Sequence, residues 1–173
     1  MGWMTLVLLW AGSAGQLVLD REYLPKAAEL IGAARKSVVV CMFMWTEGEG
    51  VGEIERCLGA AVKRGVAVEV LLEQSDDRND EVTEGNRKAA SRLRSHGVQV
   101  AFDCPDRRTH IKAIIVDSRT ILLGSHNLTY SALRNNNEVS VAIESPEMAV
   151  KLENRIRELR EDVCSKQEQS RSR

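Results

Sequence analysis

The sequence predicts an α/β fold, an α/β/α sandwich in which helices cover both faces of a mixed central sheet. Segments with helical spacing alternate with short apolar runs along most of the 173-residue chain. One run, "SVVVCMFMW" at 37–45, is long and continuously apolar, as expected of a central strand that is buried on both faces. Two later runs, "IKAIIVD" and "TILLGS", are separated only by the turn "SR" and predict adjacent strands.

The other elements follow from local start and stop signals. The helix after the first strand tolerates Pro25 in its first turn, and the closing helix begins at Pro146. The two central helices each end at a glycine. The predicted helices span 24–36, 52–65, 81–97 and 146–162, and the predicted strands span 15–20, 37–45, 67–74, 98–103, 109–117, 120–125 and 138–144.

Length and composition predict one domain, at 16–164, between two short end segments. Residues 1–15 are apolar and form an arm or a possible signal or anchor, but they fall far short of the ~20 residues that a spanning helix needs. No positive charge precedes Trp3, as a signal peptide would require. We therefore expect a cytoplasmic protein, with export or membrane association through residues 3–14 as the alternative. The polar tail at 165–173 is expected to be disordered.

Charge and cysteine usage exclude several classes of function. The net charge of −1 gives no global basic field, so a nucleic-acid partner needs a local patch. None of the four cysteines forms a CxxC pair, so we predict no metal site, and Cys41 and Cys57 are expected to be small core residues. The glycine-rich "GEGVG" has Glu53 where a dinucleotide fingerprint needs its last glycine.

The stretch "THIKAIIVD" at 109–117 carries the first functional side chains. Successive strand residues face opposite sides, so His110 and Lys112 share a face. The segment "GSHN" places Ser125 and Asn127 two residues apart, again on one face, and Glu138 stands at the head of the next strand. If these strands are neighbours, the five polar groups gather at one edge of the sheet.

The chemistry that this set predicts is phosphodiester cleavage. A neutral His110 can attack phosphorus while Glu138 fixes its tautomer and stabilises the imidazolium. Lys112 supplies a compact cation to the phosphate oxygens, and neutral side chains add further donors. With enough fixed donors no divalent ion or other cofactor is needed. An in-line displacement also needs an acid behind the leaving oxygen, and one chain supplies one suitable histidine.

These residues resemble those of a known family. "HIKAIIVD" resembles the HxKxxxxD signature of the phospholipase D superfamily, and "GSHNLTYSALRNNNEVSV" resembles its GSxN segment and downstream acidic residue. The resemblance covers residues 16 to 160 and implies a phospholipase D-like fold and a phosphohistidine intermediate. It implies His110 as the nucleophile, Glu138 as the residue that orients it, and phosphate binding by Lys112, Ser125 and Asn127. Asp117 completes the catalytic signature, but strand parity points it away from His110, so we expect a structural role.

The presence of a single motif implies a partner subunit. The single-motif branch of the superfamily, which includes bacterial endonucleases and mitochondrial cardiolipin hydrolases, forms homodimers with the active site across a two-fold axis. His110 of the partner subunit would then protonate the leaving group. The mitochondrial relatives carry a cysteine/histidine zinc module, and this sequence has no such cluster.

The sequence leaves three functions open. The first is a nuclease, for which Arg107, Arg108 and Arg134 are possible contacts to the phosphates that flank the scissile one. The second is a phospholipid phosphodiesterase, which should expose an apolar lip, with Trp45 as its candidate. The third is a non-catalytic dimer that only binds phosphate. His126, between two of the site residues, is expected to have a packing or rim role.

Overall fold

Among the described residues, seven strands form one mixed sheet, with four α-helices longer than ten residues, one five-residue α-helix and a single 3-10 turn at Asp20–Glu22. The structure, a computed structural model, describes residues 15–77 and 79–160. The expectations for residues 1–14 and for the tail at 165–173 lie outside these ranges. In chain order the elements are β1 (Gly15–Leu19), α1 (Tyr23–Ala33), β2 (Ser37–Met42), α2 (Val51–Lys63), β3 (Ala67–Leu72), α3 (Glu81–Ser95), β4 (Gln99–Phe102), β5 (Lys112–Val116), β6 (Thr120–Gly124), α4 (Tyr130–Arg134), β7 (Val139–Glu144) and α5 (Pro146–Glu158).

The strand order is β1-β7-β6-β5-β2-β3-β4. Strands β2, β3 and β4 run parallel to one another. Strand β5 runs antiparallel to β2, β6 to β5, β7 to β6, and β1 to β7. The carboxyl ends of β1, β2, β3, β4 and β6 therefore lie at the same edge as the amino ends of β5 and β7. We call this edge of the sheet the upper edge and the opposite one the lower edge.

Helices cover both faces, as the sequence predicts. On one face, apolar residues of α1, α2 and α3 pack on the sheet in a single core, with Ile31, Leu58 and Leu93 fully buried. On the other face, Ala149 and Ile156 of α5 pack against a second, smaller cluster that includes Ile115. Strand β5 contributes to both clusters and is buried along its whole length. Its position at the centre of the sheet fixes where its two ends lie.

The lower end of β5 is held by Asp117. Asp117 and Ser118 have φ values of 55° and 50° in the turn to β6, a conformation that aspartate tolerates better than most residues. The Asp117 carboxylate accepts hydrogen bonds from the backbone N–H groups of Arg35 (3.0 Å), Lys36 (2.7 Å) and Ser37 (3.0 Å). Burial opposes ionisation, but these three bonds outweigh it and hold the pKa of Asp117 below its usual value.

Several predicted elements end a few residues early, as β2 does at Met42 instead of residue 45, and two further differences bear on the site. Strand β5 begins at Lys112, so His110 lies two residues before the strand. The five-residue helix α4 occupies a stretch for which the sequence predicts no element, and the Thr129 side chain caps it by accepting a hydrogen bond from Ala132 N–H at 3.2 Å. A helix this short has too few residues for a clear apolar period.

Trp45 does not form an apolar lip, and that prediction is wrong. Its side chain is fully buried, and its indole N–H donates to Glu55 at 3.1 Å. An isolated parallel bridge joins Trp45 to Leu128. Across the described ranges, every helix is too short or too polar to cross a lipid bilayer.

Candidate active site

The upper edge brings the predicted site residues to neighbouring strand ends. Lys112 opens β5, and His110 precedes it by two residues. Ser125 directly follows β6, and Glu138 directly precedes β7. Because β5, β6 and β7 are consecutive strands of the sheet, these four residues lie at one place on the edge.

Lys112 is a buried cation whose ammonium group is held in place. The residue is 7% exposed, and its Nζ donates to the His110 carbonyl at 3.0 Å. The Nζ also lies 4.7 Å from the centre of the Phe43 ring, within the range of a cation–π contact. Burial lowers the pKa of Lys112, and the negative charge of Glu138 opposes that shift. An ammonium has three donors, so this arrangement can direct further N–H groups at a phosphate.

The His110 imidazole is exposed beside this ammonium. Its ring meets the Phe43 ring edge to face, with the ring centres 4.4 Å apart. Partial burial, followed by the charges of Lys112 and Arg108, lowers the pKa of His110. The neutral imidazole that a nucleophile requires is therefore favoured near pH 7. Within the described residues the ring makes no hydrogen bond to Glu138, so the orienting role of Glu138 stays a prediction.

The Glu138 carboxylate is bound on both oxygens. Ser125 Oγ donates to Oε2, and Asn136 Nδ2 donates to Oε1 at 3.0 Å. Ser125 Oγ also accepts the Val139 N–H at 3.0 Å. These contacts fix Ser125 and Glu138 relative to the end of β6 and the start of β7. The structure thus joins the two residues that the sequence placed on different segments.

Gly124 permits this joining. A Cβ at this position would lie 2.3 Å from both Ser140 Oγ and the Val139 carbonyl oxygen, which is closer than atoms can approach. Only glycine lets β6 and β7 remain paired at this level. The close packing of β7 against β6 therefore explains the glycine of the "GSHN" segment.

Asp20 binds the backbone of Glu138, His126 in turn binds Asp20, and no sequence pattern indicates a role for Asp20. The Glu138 N–H donates to Asp20 Oδ1 at 2.7 Å, and the Asp20 N–H donates to the Glu138 carbonyl at 3.0 Å. The buried His126 ring donates from Nε2 to the Asp20 carbonyl (2.9 Å) and accepts at Nδ1 from Ser140 Oγ (2.7 Å), because a carbonyl only accepts. The same ring stacks on Tyr23 at 4.3 Å. These contacts give His126 a packing role, as the sequence predicts.

A buried pair of carboxyl groups lies on the other side of His110. Glu73 and Asp103 follow β3 and β4, and their carboxyl groups are buried close enough to interact when one of them carries a proton. Glu73 Oε2 accepts the Thr109 N–H at 2.5 Å, and Arg108 Nε lies 3.3 Å from Glu73 Oε1. Burial and the interaction with Asp103 raise the pKa of Glu73 to about 7, while Thr109 N–H and Arg108 oppose the shift. This pair anchors the residue directly before His110.

We expect Glu73→Gln to change how stability depends on pH. The folded wild-type protein keeps a proton that the unfolded chain releases between about pH 4.5 and pH 7, so its stability falls as pH rises through that window. A glutamine cannot ionise and keeps an acceptor for Thr109. The unfolding free energy of the variant relative to wild type should therefore rise by more than about 1 kcal/mol from pH 5 to pH 8. Urea unfolding of both proteins at several pH values measures this difference. If the unfolding free energies of the two proteins changed equally with pH, the prediction would be contradicted.

The other predicted contacts lie around this centre. Asn127 is half-buried, and its Oδ1 is a buried acceptor without a hydrogen-bond partner among residues 15–77 and 79–160. Arg107 is exposed, Arg108 also pairs with Asp80 at 3.3 Å, and Arg134 lies 3.5 Å from Glu49. In the part of the chain that the structure describes, no three histidine, cysteine or carboxylate side chains are grouped as a metal site would need.

Comparison with known families assigns the domain. The family described as "Cardiolipin synthase, PLD-like domain" matches residues 28–160, which include every predicted site residue. The chain belongs to this family. The predicted membership of the phospholipase D superfamily is thereby confirmed.

Curated members of this phospholipase D-like family are about 30% identical to the chain. Cardiolipin synthase B of Escherichia coli K12 is 30% identical over 135 residues, which cover 70% of this chain and 30% of that protein. The phospholipase D of Rickettsia bellii is 30% identical over 122 residues, covering 70% and 56% respectively. The mitochondrial cardiolipin hydrolase of Danio rerio is 31% identical over 117 residues, covering 67% and 47%. The chain thus spans between about a third and just over half of these relatives.

Solved structures confirm the phospholipase D-like fold. The phospholipase D family member Nuc from Salmonella typhimurium superposes with a TM-score of 0.71 at 25% identity, over 84% of this chain and 93% of that chain. NucT from Helicobacter pylori superposes with a TM-score of 0.64 at 20% identity, over 84% and 96% respectively, and supports the fold alone. Both superpositions span nearly the whole length of the compared protein chain.

Proposed function

We propose that this phospholipase D-like domain is a phosphodiesterase that cleaves nucleic acid through a covalent phosphohistidine. The observation that carries the proposal is the exposed His110 ring, kept neutral beside the buried Lys112 ammonium. A neutral nucleophile next to a fixed cation suits attack on an anionic phosphodiester. The adjoining pair of Ser125 and Glu138 supplies a hydroxyl and a carboxylate at the same edge.

The proposed reaction has two displacements. In the first, a His110 ring nitrogen forms a bond to phosphorus while the bond to the leaving oxygen breaks, and an acid on the opposite side protonates that oxygen. In the second, water attacks phosphorus and releases His110. Lys112, Ser125 and Asn127 bind the phosphate oxygens, and Glu138 stabilises the imidazolium when the ring approaches it. Asp117 takes no part, because it lies at the lower edge, about 16 Å along β5 from Lys112.

The proposed active unit is a homodimer with the site across its two-fold axis. The chain has three histidines. His126 is buried, and His96 follows α3 at the lower edge, so neither can reach the leaving group. His110 of the partner subunit supplies the missing acid and doubles the cations around one phosphate. The scheme uses no metal and no cofactor.

Nucleic acid is the preferred substrate because of the cations near the site. Arg108 is half-exposed beside His110, Arg107 is exposed next to it, and Arg134 closes the helix that leads to Glu138. Such guanidinium groups suit contacts to flanking phosphates. The burial of Trp45 also removes the apolar lip that a lipid substrate would favour.

A phospholipid is the second candidate substrate. Leu17 and Leu19 of the edge strand and Val139, which follows Glu138, are exposed apolar side chains on one face of the sheet. This apolar surface adjoins the site and could meet a lipid. A dimer that binds phosphate without turnover is the third.

A parallel turnover assay in excess EDTA tests the proposal. Single-stranded DNA, duplex DNA, RNA and vesicles containing cardiolipin are each incubated with the purified chain. Cleavage of a nucleic acid that persists in EDTA is the expected result. Hydrolysis of lipid alone would favour the second candidate, and binding of phosphate without turnover would favour the third. Loss of cleavage in EDTA would overturn the metal-free mechanism.

A further inference from the structure

We propose that a cavity next to the phosphate site binds a nucleobase of the substrate, and that the Tyr130 ring is its stacking surface. The cavity lies between the segment 44–46 and the start of α4, and its lining includes Met44, Thr46, Asn127, Tyr130 and Asn136. The inference rests on the proposed function and adds a substrate class, a strand with unpaired bases. The cavity adjoins the phosphate site because Asn127 is one of the proposed phosphate ligands and Asn136 donates to Glu138.

Rigid backbone forms the wall of the cavity. The Leu128 N–H donates to the Met44 carbonyl at 3.1 Å, and the Thr46 N–H donates to the Leu128 carbonyl at 3.0 Å. Asn86 Oδ1 accepts the N–H of the buried Trp45 at 2.8 Å. The two extended segments therefore lie side by side at a fixed separation, as a preformed binding site requires.

Tyr130 is an aromatic side chain at the mouth of this cavity. It is 44% exposed, whereas Tyr23 and Trp45 are buried and Phe43 already contacts His110. The loop before α2 packs on its base: a Cβ at Gly48 would lie 2.9 Å from Tyr130 Cβ, so the backbone passes close to the ring's attachment. An exposed and supported ring offers the flat surface on which an unpaired base stacks.

Asn127 supplies an unsatisfied polar group to the same cavity. Its Oδ1 has no hydrogen-bond partner in the described structure, although the atom is buried. A buried acceptor without a partner is costly, and rotation of the Asn127 amide towards the cavity would let an N–H group of a bound ligand relieve that cost. The exocyclic amino groups of adenine, cytosine and guanine are such donors. The Asn127 Nδ2 remains available for the phosphate.

The size and polarity of the cavity fit a base better than an acyl chain. The volume is about 370 Å³, within the usual range of about 300–1,000 Å³ for ligand pockets. Thr46, Asn127, Ser131 and Asn136 contribute polar groups to a lining that also includes Met44, Ala132 and the Tyr130 ring, and an acyl chain would leave these polar groups without partners. A base in a duplex is stacked on both sides and cannot turn onto Tyr130, so the cavity selects a single strand.

The test compares two single-stranded oligonucleotides of equal length, one with bases and one in which every base is replaced by an abasic spacer. The measured quantity is the ratio of their kcat/KM values. In the wild-type protein we expect a ratio of about ten or more, as one stacked base can provide. Tyr130→Ala should bring the ratio close to one, and Tyr130→Phe should restore it because the ring is retained. Met148→Ala removes a side chain of similar exposure on α5 and should leave the ratio unchanged.

The outcomes separate the two proposals. A wild-type ratio near one, or a high ratio that survives in Tyr130→Ala, overturns the base site while the nuclease proposal stands. If neither oligonucleotide is cleaved, the EDTA assay with duplex DNA and RNA decides the nuclease proposal, and fluorescence anisotropy with the same oligonucleotides decides the base site. A binding preference for the base-bearing strand that Tyr130→Ala abolishes supports the site, and equal binding of both strands overturns it.

Discussion

Replacing His110 with alanine is expected to lower kcat on every cleaved phosphodiester by at least about 10³-fold. The substitution removes the proposed nucleophile and, in the proposed dimer, also the acid for the leaving group. Folding should be unaffected, because the ring is exposed and the residue lies before β5 rather than within it. Single-turnover cleavage, together with thermal unfolding of both proteins, measures the two effects separately. Activity within tenfold of wild type would show that another residue attacks phosphorus.

Dimers that contain one wild-type and one His110→Ala subunit test whether each active site uses His110 from both subunits. If each site uses His110 from both subunits, a wild-type subunit paired with a His110→Ala subunit has lost either the nucleophile or the acid. An excess of the variant should therefore reduce the activity of a fixed amount of wild-type protein after subunit exchange. His96→Ala, which changes a histidine at the lower edge, is the matched control and should not reduce it. Activity that is independent of added variant would contradict a shared site.

The second large effect is expected on stability, from Asp117→Ala. The change leaves the backbone N–H groups of Arg35, Lys36 and Ser37 without their acceptor and places alanine at a φ of 55°. We expect a loss of roughly 3 kcal/mol in the free energy of unfolding. Urea unfolding at pH 7 measures this loss, and a change below about 1 kcal/mol would show that water replaces the carboxylate.

Asp117→Asn is the control for this prediction. Asparagine tolerates the same backbone conformation and keeps one acceptor, so it should lose much less stability than alanine does. Because the folded state lowers the pKa of Asp117, its contribution to stability is present above the pKa of the unfolded chain, near 4, and is lost as pH falls through the lower folded value. The difference between wild type and Asp117→Asn should therefore shrink between pH 5 and pH 3.

The architecture was predictable because its signals are local. Alternating helical and strand-like apolar patterns predict the four long helices and the seven strands. Because only a short turn separates the runs on either side of Asp117, those runs are predicted to form neighbouring strands. The two-residue spacing within "HIK" and within "GSHN" predicts that each pair of polar side chains shares a face. Because β5 and β6 are antiparallel neighbours, the two segments then lie at the same edge of the sheet. Strand parity predicts that Asp117 faces away from His110, and the structure separates them for a simpler reason, because the two residues flank opposite ends of β5.

The supports of the site were not predictable, because they join distant parts of the chain. Asp20 binds Glu138 across 118 positions, and nothing near either residue indicates the pairing. Glu73 and Asp103 meet only because β3 and β4 are neighbours, which the order of the sheet decides. Trp45 ends an apolar run in the sequence, and its burial depends on an acceptor, Glu55, on the next helix. Long-range partners such as these require the fold itself.

The position of β5 has a consequence for how variants would behave in a cell. One buried strand carries the reactive groups at its upper end and the turn that holds the fold together at its lower end. Inactivating changes should therefore separate into two groups by the amount of protein that accumulates. Variants near His110 would persist at normal abundance and could compete with active copies for subunits, whereas variants at Asp117 would be degraded and leave active copies undisturbed.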